Sequence, residues 1–225
     1  MDNLLVKAFA GLAFLLVMLA VAIFLPAGSL RFWQAWLYLA DFALCTLLVT
    51  LYLIRYDQQL LASRVQAGPI AETEKSQQII QSLASLFFLA VYVVAGLDFR
   101  FGWSNVTPVM SLLADGFVAL GFLIVFLVFR ENSYTSGTIE VAENQQVVTT
   151  GPYRVVRHPM YAGAFLLLLF TPLALGSWVA LPLLIPLILV IAFRAVEEEK
   201  FLSANLDGYE AYKQRVHSRI IPFIW

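Results

Sequence analysis

Residues 160–193 read MYAGAFLLLLFTPLALGSWVALPLLIPLILVIAF. A membrane helix needs only ~20 apolar residues, so this run is too long for one crossing. Its middle holds Pro172, Gly176 and Ser177, residues that stop a helix and favour a turn. The spacing therefore predicts a helical hairpin, about 160–175 and about 178–193, joined by a tight turn. At 1.5 Å per residue each arm reaches ~24 Å, barely a membrane thickness. Whatever precedes residue 160 and whatever follows residue 193 should then meet on one face of the membrane.

Working back toward the N-terminus, four more apolar runs have spanning length, at about 4–25, 33–54, 79–98 and 109–130. The chain is 61% hydrophobic, above the ~45–50% of a soluble domain. The expected fold class is thus all-α, a polytopic membrane protein of about six transmembrane helices, ending in the hairpin and a cytosolic tail helix. Residues 1–130 would form a four-helix membrane region and 131–225 the region that carries chemistry. The first run could be read as a signal peptide. It is long for one and has only Lys7 as a basic residue, so it is read as an uncleaved anchor helix.

Lys and Arg set the orientation. With six crossings, one side would carry Lys7, Arg55, Arg64, Lys75, Arg130, Arg154, Arg157, Arg194, Lys200, Lys213, Arg215 and Arg219, against Arg31 and Arg100 on the other. Both termini are therefore expected in the cytosol. The 65–78 stretch reads as a polar connector there, and Trp33, Trp36 and Trp103 sit at the opposite span ends, as an aromatic belt requires. The net charge of −1 gives no electrostatic case for nucleic acid. The single cysteine, Cys45, excludes an internal disulfide.

Asp41, Asp98 and Asp115 lie in or near the apolar runs. Asp98, at a helix end next to Arg100, is expected to be interfacial. Asp41 and Asp115 sit deeper, where a carboxylate must pair, protonate or face a cavity. They could serve a small transporter as proton or ion sites, or form hydrogen bonds between helices. The second reading is favoured, because no intramembrane Lys, Arg or His completes a relay.

Two polar stretches flank the hairpin. The first, residues 145–163, reads QQVVTTGPYRVVRHPMYAG, with a turn signal at Gly151-Pro152 and then Tyr153, Arg154, Arg157, His158 and Tyr161. Pro159 suits the first turn of a helix and puts His158 at its N-cap, beside orphan backbone donors that attract an anion. The second, RAVEEEKFL, runs from Arg194 to Leu202 and places Arg194 and Glu198 one turn apart on a helix face. Each alone could be a basic loop or a surface ion pair. Brought together by the hairpin, they would form a cytosolic mouth open to water on one side and to lipid on the other.

At these residues the sequence resembles the isoprenylcysteine carboxyl methyltransferase family, in particular its bacterial membrane members, which border on phospholipid methyltransferases. The matching motifs are GPYRVVRHPMYAG, the Arg194–Leu202 pattern, and a tail with Tyr209, Tyr212, Arg219 and Pro222. The resemblance covers about residues 138–225 and implies an integral protein of the bacterial inner membrane, with S-adenosylmethionine as methyl donor. It implies donor contacts from Gln145, Gln146, Val147, Val148, Tyr153, the His158-Pro159-Met160-Tyr161 run and Glu198. Arg157 adds positive charge beside them, and Arg194 would lie toward the acceptor. The eukaryotic pattern has histidine where this chain has Gln145. The spacing from Leu202 to Tyr209 is one residue short. No metal is implied, since His217 has no ligand spacing with His158. No Gly-rich strand–turn–helix nucleotide motif is present.

Methyl transfer from a sulfonium to a carboxylate needs alignment and removal of water, not a base, and an arginine fork at Arg194 suits a carboxylate. The expected reaction is isoprenylcysteine-type O-methylation of a membrane-embedded, lipid-like acceptor. A phospholipid amine acceptor would first have to lose a proton, which Glu198 or Glu199 could take. A nicotinamide-dependent membrane reductase (NADPH as donor) shares a similar His-Pro-x-Tyr motif and is the remaining enzymatic alternative.

Overall fold

A computed structural model describes residues 2–66, 75–135, 141 and 145–225. Eight α-helices fall among them: α1 (Asp2–Ala27), α2 (Trp33–Tyr56), α3 (Gln58–Val65), α4 (Lys75–Phe101), α5 (Pro108–Glu131), α6 (Pro159–Ala174), α7 (Leu184–Asn205) and α8 (Tyr209–Arg215). Local chemistry sets several of the starts. Thr107 caps α5 by accepting from the Met110 amide, with Pro108 in the first turn. Asp57 caps α3 in the same way through the Leu60 amide at 2.9 Å.

Among the described residues four helices, not six, are long and apolar enough to cross a membrane: Asn3–Ala27, Trp33–Tyr56, Gln77–Phe101 and Pro108–Glu131. The expectation of six counted both arms of the hairpin. The first arm, α6, stops after 16 residues. The second begins later than the sequence suggests, at Leu184 after a short 3-10 turn over Leu181–Leu183. It then runs on without a break through the charged stretch to Asn205, so only its first half is apolar. α3 is an addition, a short helix between the second apolar run and the 65–78 connector, and residues 75–78 of that connector already belong to α4. Most of that connector, 67–74, lies outside the described residues, as do 136–140 and 142–144 of the loop before the first motif.

The main hydrophobic cluster among the described residues draws on α1, α2, α4, α5, α6 and α7 and includes Leu19, Ile23, Tyr38, Val91, Tyr92, Val118 and Leu187; smaller ones lie around Leu60 and Phe129 and around Tyr153 and Tyr212. Tyr38 bonds Tyr92 at 2.7 Å and Thr171 at 3.1 Å, which satisfies three buried hydroxyls between helices. Asp41 accepts a thiol contact from Cys45. Asp115 is buried with no partner among the described residues.

The α5–α6 packing sets the depth of everything that follows. Ser111 Oγ donates to the Leu173 carbonyl at 3.1 Å near one end of the pair. Farther along, a Cβ on Gly121 would stand 2.8 Å from the Gly163 carbonyl oxygen, and one on Gly163 would stand 2.9 Å from the Gly121 oxygen. Two glycines in register therefore let the backbones touch. The same register puts Val125 opposite Pro159, so α5 continues past the start of α6 by residues 126–131, about 9 Å of helix. The first turn of α6 is thus sunk below the end of α5.

The hairpin turn reaches the other end of the bundle. Ser177 Oγ donates to Asp98, which also accepts from the Ser104 amide at 2.7 Å. Asp98, expected at an interface, is 2% exposed and ties the turn to the last turn of α4. The chain therefore does return: residues 151–158 and 194–219 share the face where α2 ends and α4 begins.

Candidate active site

The first motif is built by its turn. Gly151 has φ +56°, a conformation that favours glycine, and a Cβ there would lie 2.9 Å from the Glu131 carboxyl. The resulting 3-10 turn, Gly151–Arg154, drives Tyr153 inward. Asn132 Nδ2 donates to the Tyr153 hydroxyl at 2.8 Å, and the Tyr212 hydroxyl donates to the Tyr153 carbonyl at 2.8 Å. Burial pushes the Tyr153 phenol well up from its ordinary value, so it stays neutral.

The C-terminal tail then straps the second half of the motif. The Arg157 and His158 amides donate to the carbonyls of Ser218 and Arg219 at 2.9 and 2.8 Å. Arg157 Nη1 donates to the carbonyls of Val216 and His217, both at 2.7 Å. Its Nε donates to Glu199 at 2.6 Å, and Arg219 Nε reaches the other Glu199 oxygen at 2.9 Å. His158 Nε2 lies 3.3 Å from Glu199. Burial raises the Glu199 carboxyl, but its contacts with His158, Arg157 and Arg219 outweigh this and hold it well below the usual carboxylate range. Glu199 is thus an anchored ion that fixes the first motif against α7. It does not line the cavity described next.

The two motifs meet at Tyr161. Its hydroxyl donates to Glu198 Oε2 at 2.6 Å and accepts from Arg194 Nε at 3.2 Å. Arg194 Nη1 also donates to Gln77 at 3.1 Å, from the first turn of α4. His158 is the N-cap of α6 and Pro159 its first residue, as the spacing predicts. The His158 ring stacks on Tyr161, with centroids 5.5 Å apart.

These groups surround a cavity of about 290 Å³, at the small end of the range for small-molecule sites. Gln145, Gln146, Val147, Val148, Tyr153, Arg157, His158, Pro159, Met160, Tyr161, Arg194 and Glu198 all line it. Sequence reasoning gave no site role to Arg64, Asn132, Leu202, Leu206, Tyr209 or Tyr212, which line it too. Tyr209 and Tyr212 stood in the tail pattern, whereas Arg64 carried no signal beyond its positive charge. Asp41 and Asp115 do not line it. The wall is chemically mixed: tyrosine rings, a carboxylate at Glu198, the guanidinium groups of Arg64, Arg157 and Arg194, and apolar faces at Val147, Val148 and Leu206. The Tyr209 hydroxyl is buried there without a partner among the described residues. A flat base, a sugar and a sulfonium cation fit such a wall, because ring faces attract cations and Glu198 accepts hydroxyl or ammonium protons.

Residues 109–207 match the family model described as Phospholipid methyltransferase. The chain is therefore an all-helical membrane protein that carries a methyltransferase domain, of the class that uses S-adenosylmethionine. Among characterised proteins it is 29% identical over 126 residues to methanethiol S-methyltransferase of Crocosphaera subtropica, across 56% of this chain and 45% of that one. It is 35% identical over 113 residues to protein-S-isoprenylcysteine O-methyltransferase of Schizosaccharomyces pombe, across 45% of this chain and 48% of that one. The chain spans about half the length of the curated relatives it matches.

Proposed function

We propose that the chain transfers a methyl group from S-adenosylmethionine to a membrane-borne, lipid-like acceptor bearing a carboxylate, at the cytosolic surface of a bacterial inner membrane. The donor, when bound, supplies an electrophilic methyl on a positively charged sulfur. Its binding residues would be Gln145, Gln146, Val147, Val148, Tyr153, Arg157, His158, Pro159, Met160, Tyr161 and Glu198. Residues 131–225 would carry the reaction on the scaffold of residues 1–130.

The observation that carries this reading is the single phenol of Tyr161 held between Glu198 and Arg194. It sets a carboxylate, suited to the donor's hydroxyl or ammonium groups, beside a guanidinium suited to an acceptor anion. Arg194, pinned by Tyr161 and Gln77, would hold the acceptor carboxylate bidentately and in line with the methyl group. A carboxylate is already deprotonated at neutral pH, so no base is required. The sunken start of α6 supports an approach from lipid, since about 9 Å of α5 rises beyond it.

The alternative, a phospholipid amine acceptor, takes its support from the family match of residues 109–207. It would need Glu198 as the base, because Glu199 is bound by two arginines.

The test is calorimetric binding of S-adenosylhomocysteine to detergent-purified protein, wild type beside Glu198→Ala. Binding to the wild type and loss in the variant are expected. A wild type that binds NADPH and ignores S-adenosylhomocysteine would replace the methyltransferase with a reductase.

A further inference from the structure

Arg64 lies on α3, far in sequence from both motifs, yet it lines the same cavity. Its guanidinium sits 4.7 Å from the centroid of the Phe129 ring, and Nη2 reaches the Met160 sulfur. Its Nε is enclosed and unpartnered, and no carboxylate lies within ion-pair distance among the described residues. A sulfur and a ring face are weak company for a full charge. Burial brings its pKa down to about 10, so the group remains cationic at neutral pH. The buried arginine of the first motif has no such deficit, since Arg157 holds both Glu199 and two carbonyls.

A largely enclosed guanidinium with no carboxylate in ion-pair contact among the described residues costs stability, and an anion bound in the cavity would offset that cost. The first turn of α6 adds to the argument. Met160 is its second residue, so Arg64 reaches the first turn of α6, the positive end of a helix. An enclosed guanidinium and a helix N-terminus thus converge on one wall of the cavity.

We propose that Arg64 is an anion-binding residue of this cavity, closing on a carboxylate or phosphate oxygen of the bound reactants. This deepens the methyltransferase reading and rests on it. Two sources carry that chemistry: the α-carboxylate of the methyl donor, or the anionic head of the acceptor. α3 would then be a working part of the site and not merely a connector.

The experiment compares wild type with Arg64→Gln and Arg64→Met in detergent. Calorimetry measures S-adenosylhomocysteine and 5′-methylthioadenosine, which lacks the amino-acid end. Thermal shift measures stabilisation by dodecyl phosphate against dodecanol. If the donor carboxylate is the partner, Arg64→Gln weakens S-adenosylhomocysteine about tenfold to a hundredfold, the cost of one charge-assisted hydrogen bond, and leaves 5′-methylthioadenosine unchanged. If the acceptor head is the partner, the nucleosides bind as before and stabilisation by dodecyl phosphate is lost. In either case Arg64→Met, which keeps the stem and removes the charge, leaves the thermal midpoint of the empty protein equal or higher. A lower midpoint together with unchanged binding of all probes overturns the proposal and makes Arg64 a structural residue. Failure of S-adenosylhomocysteine to bind the wild type would sink the methyltransferase reading separately, and the dodecyl phosphate arm would still decide Arg64.

Discussion

The hydroxyl of Tyr161 donates to Glu198 at 2.6 Å and accepts from Arg194 at 3.2 Å, so one phenol joins the first turn of α6 to the charged half of α7. Removing it should separate binding from folding. Tyr161→Phe loses two hydrogen bonds at a cost of about 1 kcal/mol each, which leaves the protein folded. Glu198 and Arg194 then lose their common partner. S-adenosylhomocysteine affinity should fall about tenfold by calorimetry, with a thermal midpoint close to wild type. Unchanged affinity would remove Tyr161 from the site.

Arg194→Lys keeps a positive charge but loses the planar fork. The guanidinium reaches Tyr161 through Nε and Gln77 through Nη1, two directions fixed by its plane that an ammonium does not reproduce. Donor affinity should stay within about twofold, while methyl transfer to an anionic acceptor falls at least about tenfold. A variant that turns over normally would mean that Arg194 does not hold the acceptor.

Gly163→Ala tests the close crossing of α5 and α6. The new methyl would stand 2.9 Å from the Gly121 carbonyl and 3.0 Å from Val125 Cγ2. The helices must part, at a cost of about 1–3 kcal/mol. The thermal midpoint should drop, and donor affinity with it, because His158 and Tyr161 ride on the displaced first turn. A midpoint at or above wild type would contradict the packing described.

The anchored Glu199 predicts an acid limb. Its carboxyl lies below the usual range in the folded protein, against ~4.3 when unfolded. The unfolded chain therefore takes up the proton first as pH falls. The stabilisation is complete above the unfolded value and is lost progressively as pH drops toward the folded one. Arg219→Gln removes one cationic contact and raises the folded value. It should lower stability most at neutral pH and flatten the fall on acidification. Thermal midpoints across pH ~3 to ~7 would show it. An acid limb identical to wild type would mean that the Arg219 contact at 2.9 Å does not stabilise Glu199.

Much of the site was legible because it is local. His158 at the N-cap, Pro159 in the first turn and the Gly151-Pro152 turn follow from residue chemistry within a few positions of chain. The hairpin was legible from Pro172, Gly176 and Ser177, and its return brings the motifs together as its spacing predicts. The helix count was not. Hydropathy reads the first half of α7 as a span, yet the helix continues through Arg194 and the glutamates, because a helix does not end where its side chains change from apolar to charged. α3 was missed because a short helix capped by Asp57 looks polar in composition. Its inward residues, Leu60, Leu61 and Arg64, are separated only by tertiary contacts.

Taken alone, the sequence determined the chemistry available: apolar helices for lipid, a turn that reverses the last pair, and two polar segments with the side chains a methyl-transfer site would use. Tertiary structure decided which of those side chains still face a cavity. Glu198 and Glu199 are neighbours of identical type. One lines the cavity and bonds Tyr161, and the other is bound by Arg157 and Arg219. Adjacent helix positions point about 100° apart, so their roles depend on what the rest of the chain folds against each face, and the linear order of residues does not carry that information.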